Sequence, residues 1–115
     1  MAGLTVDAHR DGPWGLVRLK GEARLEVIEP LRARAREMLA GGSTRLLVDA
    51  AGLAFADSAS VGILLELQHD AEQAGGGLVL HGATKRVVRM LEGMGLSDVL
   101  GLHPDEASAR ASFGA

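Results

Sequence analysis

The chain has 115 residues, 47% of them hydrophobic and 23% charged, with a net charge of −3 and no cysteine. That length holds one domain, read here as residues 1–115, and allows it to bury roughly two thirds of its unfolded surface. The composition excludes disulfides, zinc-thiolate sites and thiol nucleophiles, and a negative balance with 3% aromatic residues opposes nucleic-acid binding, which needs a positive field and stacking side chains. Met1 to Arg10 lacks the long apolar core of a signal peptide. The longest apolar runs, near Ala50–Ala56 and Val61–Leu65, fall far short of the roughly 20 residues that cross a bilayer. A cytoplasmic protein with no membrane insertion is expected.

Two strand-like runs, Leu4–His9 and Trp14–Lys20, flank "RDGP", whose Asp-Gly and Pro are turn chemistry, so a hairpin opens the chain. "GEARLEVIEP" reads as a loop. Ile28, Leu31, Ala35, Met38 and Leu39 then recur at helical spacing until Gly41-Gly42 stops the helix. Within it, Arg32, Arg34 and Arg36 lie between Glu29 and Glu37 and read as a solvated face with i,i+4 pairs. Arg45–Ala50 is short and almost continuously apolar, the pattern of a strand buried on both faces. A second helix carries Val61, Leu64, Leu65 and Leu67 as far as Gln73, before "GGG". Leu78–His81 is a further buried strand, and Thr84 is placed to cap a third helix with Val87, Val88, Leu91 and Met94 inward. A weak strand near Val99–Leu102 and a short helix over Asp105–Phe113 complete the pattern. Strands alternating with helices imply right-handed βαβ crossovers. The expected fold is α/β, with a mixed, mostly parallel sheet and helices packed on one side.

Several enzyme signatures are imitated without their working parts. Gly77–Thr84 has the glycine spacing of a phosphate loop, but Ala83 stands where the lysine belongs and a strand fills the interior. Ser58 follows Ala56-Asp57 instead of the Gly-x of a nucleophile elbow, which argues against a serine hydrolase. His9, His69, His81 and His103 fall on separate elements without metal-ligand spacing. Neither enzymatic activity, a cofactor nor a bound metal is expected.

"FADSASVG", residues 55–62, admits two readings. Asp57 or Ser58 caps the second long helix by accepting a free backbone N–H, typically worth about 1 kcal/mol. Alternatively, Ser58 is a functional hydroxyl just beyond a buried parallel strand, where α/β folds place their ligands and where helix N–H groups favour a phosphate.

The stretch Asp57, Ser58, Ala59, Ser60, Val61, Gly62 resembles the Asp-Ser-Ser/Thr-Gly-hydrophobic-Gly signature of STAS domains, specifically the bacterial anti-sigma factor antagonists. The likeness runs almost end to end, through "LKGE" at Leu19–Glu22, "RLLVDAAGLAFADS", "AGGGLVLHGATKRVVRMLEGMGL" and "SDVL". It implies a STAS-like fold and a binding module switched by others. Unphosphorylated, the module binds an anti-sigma factor that is also a serine kinase and releases the sigma factor; phosphorylation at Ser58 switches binding off, and a phosphatase reverses it. Carried over, the partner surface comprises Glu22, Arg24, Asp57, Ser58, Ala59 and Ser60, and Gly62 is a close-packing helix glycine. Three positions depart from the family pattern. Ala59 replaces Ser or Thr, Ser60 replaces Gly and questions backbone freedom, and Arg24 replaces Asp on a partner-contacting loop. These departures keep a second implication open, a non-switching STAS scaffold subunit of the stressosome or transporter-associated kind.

Overall fold

The computed structural model describes residues 3–114; Met1, Ala2 and Ala115, at the ends of the expected domain, lie outside the described residues. Strand β1 (Leu4–Asp11) turns antiparallel into β2 (Trp14–Ala23). Gly12 takes φ 58° and Pro13 is fixed near −65°, the φ pattern of a type II′ hairpin turn. A 3₁₀ turn (Leu25–Val27) leads into α1 (Glu29–Ala40), followed by β3 (Arg45–Ala56), α2 (Ser58–Gln73), β4 (Gly77–His81), α3 (Lys85–Gly93), β5 (Gly101–His103) and α4 (Glu106–Ala111). The sheet order is β1-β2-β3-β4-β5, parallel from β2 onward. This is the mixed, mostly parallel α/β architecture that the alternation of patterns implies.

Three glycine stops work alike. Gly42, Gly75 and Gly95 have φ of 95°, 92° and 72°, and the residue after each donates back to Met38, Ala71 and Leu91 respectively. These are Schellman endings, which satisfy carbonyls that the helix cannot. The apolar stripes of α1 (Leu31, Ala35, Met38), α2 (Val61, Leu64, Leu67, Ala71) and α3 (Val87, Leu91) bury against Val17, Leu19, Leu46, Val48, Ala50, Leu53, Leu78 and Leu80 of the sheet. Helices on one side describes α1–α3. The short α4 takes the other face, where Phe113 packs edge-on against Trp14 at 5.5 Å and Arg110 lies over Trp14 at 4.9 Å.

Several boundaries differ from the sequence reading. β2 continues to Ala23 and β3 to Ala56, because Lys20–Ala23 pair with Gly52–Ala56 across two register shifts. These bulges bend the pair and carry β3 well past Ala50. Thr84 caps α3, accepting from the Val87 N–H at 3.3 Å, but Met94 ends that helix and is exposed instead of inward. β5 begins only at Gly101, with Val99 exposed before it. The arginine run forms i,i+3 pairs with Glu29 and Glu37 at the 4.0 Å limit. Its shorter contacts cross to α2, with Arg32 and Arg36 donating to Glu66 at 3.1 and 2.8 Å. The i,i+4 expectation fails because no acid stands four residues from these arginines: Glu29 and Glu37 lie three from Arg32 and Arg34, and Glu66 reaches the run from α2.

Candidate functional site

β2 and β3 end side by side, the Asp57 N–H donating to the Ala23 carbonyl at 2.9 Å. Asp57 then has extended backbone angles, φ −80° and ψ 169°, the geometry of an N-cap. Its Oδ1 accepts from the Ser60 N–H at 2.8 Å and its Oδ2 from the Leu25 N–H at 3.0 Å. One carboxylate thus starts α2 and ties down the turn that follows β2. Partial burial works to raise the Asp57 carboxyl, but the N–H groups of Ser60 and Leu25 and the nearby Arg24 guanidinium outweigh it and hold it below the ordinary carboxylate value.

Of the two capping candidates, Asp57 is the cap. Ser58 is the first residue of α2, exposed, and its hydroxyl makes no hydrogen bond to another described residue. With Ser60 capped, the N–H groups of Ser58 and Ala59 remain without intrahelical partners, as at any helix start. The exposed Ser58 therefore lies in the first turn of α2, at the positive end of the helix dipole.

Arg24 is not a free charge on this edge. Its Nε donates to Glu22 Oε1 at 2.8 Å, and its guanidinium lies 4.4 Å from the centre of the Phe55 ring. It also sits close enough to Asp57 to lower that carboxyl. Glu22, Arg24, Asp57 and Ser58 thus come together, with Ala59 exposed beside them. Ser60 does not join them at the surface. Its side chain is 0% exposed and its hydroxyl is buried without a hydrogen-bond partner among the described residues, so it offers a partner no contact. Its backbone is helical, and no described non-glycine residue has positive φ, so Ser in place of Gly costs no backbone freedom. Gly62 is likewise corrected: a Cβ there would meet nothing within 4 Å, so it is exposed and not required for packing.

Two residues of this edge were not singled out from the sequence. Phe55 supports Arg24, and Leu25 supplies the second N–H to Asp57 while leaving its side chain 62% exposed. A lone leucine in the polar stretch "GEARLEVIEP" was the available signal for Leu25.

The family model for the Mlab STAS domain matches residues 6–102, most of the chain, and the chain belongs to the STAS family. Among solved structures it is similar to the anti-sigma factor antagonist SpoIIAA in its unphosphorylated form, with 22% identity, 94% of this chain and 95% of that chain covered, and a TM-score of 0.79. It is also similar to an anti-sigma factor antagonist from Mycobacterium paratuberculosis, with 20% identity, coverage of 98% and 96%, and a TM-score of 0.78. The murine anion transporter Slc26a9 matches with 14% identity over 97% of this chain and 22% of that chain, at a TM-score of 0.74. At these identities the structural likeness is one of fold. Among the described residues no helix is long and apolar enough to cross a membrane, and no three His, Asp or Glu side chains group to hold a metal.

Proposed function

We propose that this chain is an anti-sigma factor antagonist gated by phosphorylation of Ser58. Unphosphorylated, it binds an anti-sigma factor that is also a serine kinase and so frees a sigma factor; phosphorylated, it lets the kinase go, and a phosphoserine phosphatase restores it. The observation that carries this reading is the division of labour at the start of α2. Asp57 does the capping with both carboxylate oxygens, which leaves the Ser58 hydroxyl exposed and unspent.

The switch is expected to act at the interface and not by unfolding. Phosphorylation adds about −1.5 to −2 charges, which two free N–H groups and a helix N-terminus accommodate, a contribution of about 0.3–1 kcal/mol. Arg24 offsets part of the repulsion from Asp57 and Glu22. Placing the same charge unpaired under a protein partner costs several kcal/mol, against roughly −8 kcal/mol for a micromolar complex.

A second reading, a constitutive scaffold or transporter-associated STAS subunit with no switch, is favoured by one observation: Arg24, where the family pattern has Asp, is bound to its own Glu22 and Phe55. Phosphopeptide mass spectrometry on the protein recovered from its own cells decides between them. Phosphate on Ser58 supports the switch, and its absence in every growth condition supports the scaffold.

A further inference from the structure

The sheet ends laterally in two strands of unequal length, β5 with three residues and β1 with eight. The Glu22 N–H donates to the Gly3 carbonyl at 3.0 Å, one step outside the first β1–β2 pair, Leu4 with Gly21. Antiparallel ladders alternate, so the odd-numbered residues of β1 bond to β2 and the even-numbered ones turn their N–H and C=O groups outward. Arg34 of α1 agrees, since it donates to the Ala8 carbonyl at 2.7 Å. A long lateral strand is a template for a further strand unless proline, lysine or a bulge blunts it. β1 has none of the three.

Side chains decide which strand fits. A second copy of β1 laid antiparallel must place even residues opposite even residues. With Ala8 opposite Ala8, Val6 faces Arg10, and Asp7 faces His9 twice, once on each side of the two-fold axis. The Asp7–His9 positions are then non-hydrogen-bonded pairs, where side chains approach most closely. Shifting the register by two residues puts Asp7 opposite Asp7 in one direction and opposite Asp11 in the other, like charges that oppose pairing. Asp7 and His9 are both exposed. Asp7 lies opposite Arg18 of β2, but Arg18 turns to Asp49 at 3.4 Å, which leaves Asp7 unpaired among the described residues.

The helix side repeats the pattern. Arg34 and Glu37 stand on the flank of α1 that overlies β1, are exposed, and meet each other only at 4.0 Å. Arg32 and Arg36 reach from the other flank to Glu66 of α2. A two-fold axis at Ala8 therefore has one acid and one base on each side of the sheet, the self-complementarity that an isologous contact requires. Arg34 need not leave the Ala8 carbonyl, because that oxygen has a second lone pair for the N–H of Ala8 in the second copy.

The geometry points to a homodimer in which two copies of β1 pair antiparallel about Ala8 and join two five-stranded sheets into one. The occupant is a second copy because a single sequence supplies both members of each charge pair in the register that pairs most of the strand. The contact depends neither on Ser58 nor on the proposed switch.

The test is sedimentation equilibrium of the intact chain from micromolar to millimolar concentration, joined to amide hydrogen exchange. A monomer–dimer equilibrium is expected. At high concentration the amides of Val6, Ala8 and Arg10 should gain at least about tenfold protection, whereas those of Thr5, Asp7 and His9, bonded within the chain, should be protected throughout. Ala8→Pro removes an N–H that β2 does not use, a place where strands tolerate proline, and should abolish the dimer. Asp7→Lys and His9→Asp should each weaken dimerisation about fivefold or more, since each acts at both symmetric pairs. The two together should return it to within about twofold of the parent, because opposite charges face each other again. Where Ala8→Pro fails to fold, the exchange pattern and the charge variants decide alone. A chain monomeric at millimolar concentration, even-numbered amides that exchange freely throughout, a dimer that survives Ala8→Pro, or a double variant no better than the singles each overturns the proposal.

Discussion

The helix-covered face of the sheet and the edge where β2 and β3 end are built on opposite rules. On the face, α1–α3 meet the strands mainly through Leu, Val, Ala and Met, with Ser60 in the first turn of α2 the buried polar exception. At the edge, a carboxylate, an arginine and backbone N–H groups are tied to one another within a few residues, and one serine hydroxyl is left over. On the proposed reading, the face holds stability and the edge holds recognition. Substitutions should therefore separate into those that move the melting temperature and those that move binding.

The largest effect belongs to the face. Leu64 is 2% exposed between α2 and the sheet, so Leu64→Ala should cost about 2–5 kcal/mol. At about 4 °C per kcal/mol that is a melting temperature lower by roughly 8–20 °C, read by calorimetry. A small shift would show that this core collapses around the cavity and that the face is less decisive than its burial suggests. Ser58→Glu is the converse. It should weaken binding of the anti-sigma kinase at least tenfold, about 1.4 kcal/mol, with the melting temperature within a degree or two of the parent. Unchanged affinity in a titration of the two proteins would favour the scaffold reading.

Asp57 belongs to both regions and should break the separation. Asp57→Ala removes the α2 cap and the acceptor for Leu25, a loss of about 1–2 kcal/mol, and should also loosen the loop that presents Ser58. Asp57→Asn keeps the cap through its amide oxygen, but it removes the charge and one of the two acceptors, so that an NH2 faces either the Leu25 or the Ser60 N–H. The folded-state carboxyl lies below its ordinary value, so the stabilisation from its charge is present above the unfolded value of about 3.9 and is lost as pH falls through the folded value. Acid unfolding curves of parent and Asp57→Asn should converge at low pH and separate above it. Parallel curves throughout would mean that the charge contributes nothing.

What the sequence disclosed follows the same division. The helix-covered face was legible because its signal is periodic: Leu31, Ala35 and Met38, or Val61, Leu64 and Leu67, announce their stripe locally. The order of strands and helices followed from that periodicity together with the glycine stops. The last turn of β3 was not legible, since Ala51, Gly52 and Ala54 are exposed and their strand character comes from bulged pairing with β2. The placement of α4 was equally hidden, because it depends on Phe113 meeting Trp14, 99 positions away in sequence. Ser58 was found through its motif, but the contacts of Arg24 with Glu22 and Phe55 were not legible, because these residues close on it only in three dimensions. The histidines read as scattered for the same reason: His81 and His103 are cross-strand neighbours.

The smallest effect, and the one that most sharpens the comparison, concerns Arg24. Its side chain is partly exposed, so the ion pair with Glu22 contributes about 0–1 kcal/mol and the Phe55 contact about as much. Arg24→Ala should therefore lower stability by no more than about 1 kcal/mol, and it should raise the Asp57 carboxyl toward its ordinary value by removing a neighbouring positive charge, which a carboxyl titration by magnetic resonance would detect. Arg24→Asp goes further and places a third acid beside Glu22 and Asp57. If the partner carries an acidic group opposite Arg24, the reversal should slow association, more at low salt than at high salt, where screening shortens the field to about 10 Å or less. Association rates of both variants at two ionic strengths distinguish the possibilities. Slower, salt-dependent association of the Asp variant assigns Arg24 to the interface. Rates equal to those of the parent for both variants assign it to its own loop, as a brace for Glu22 and Asp57 that no partner reads.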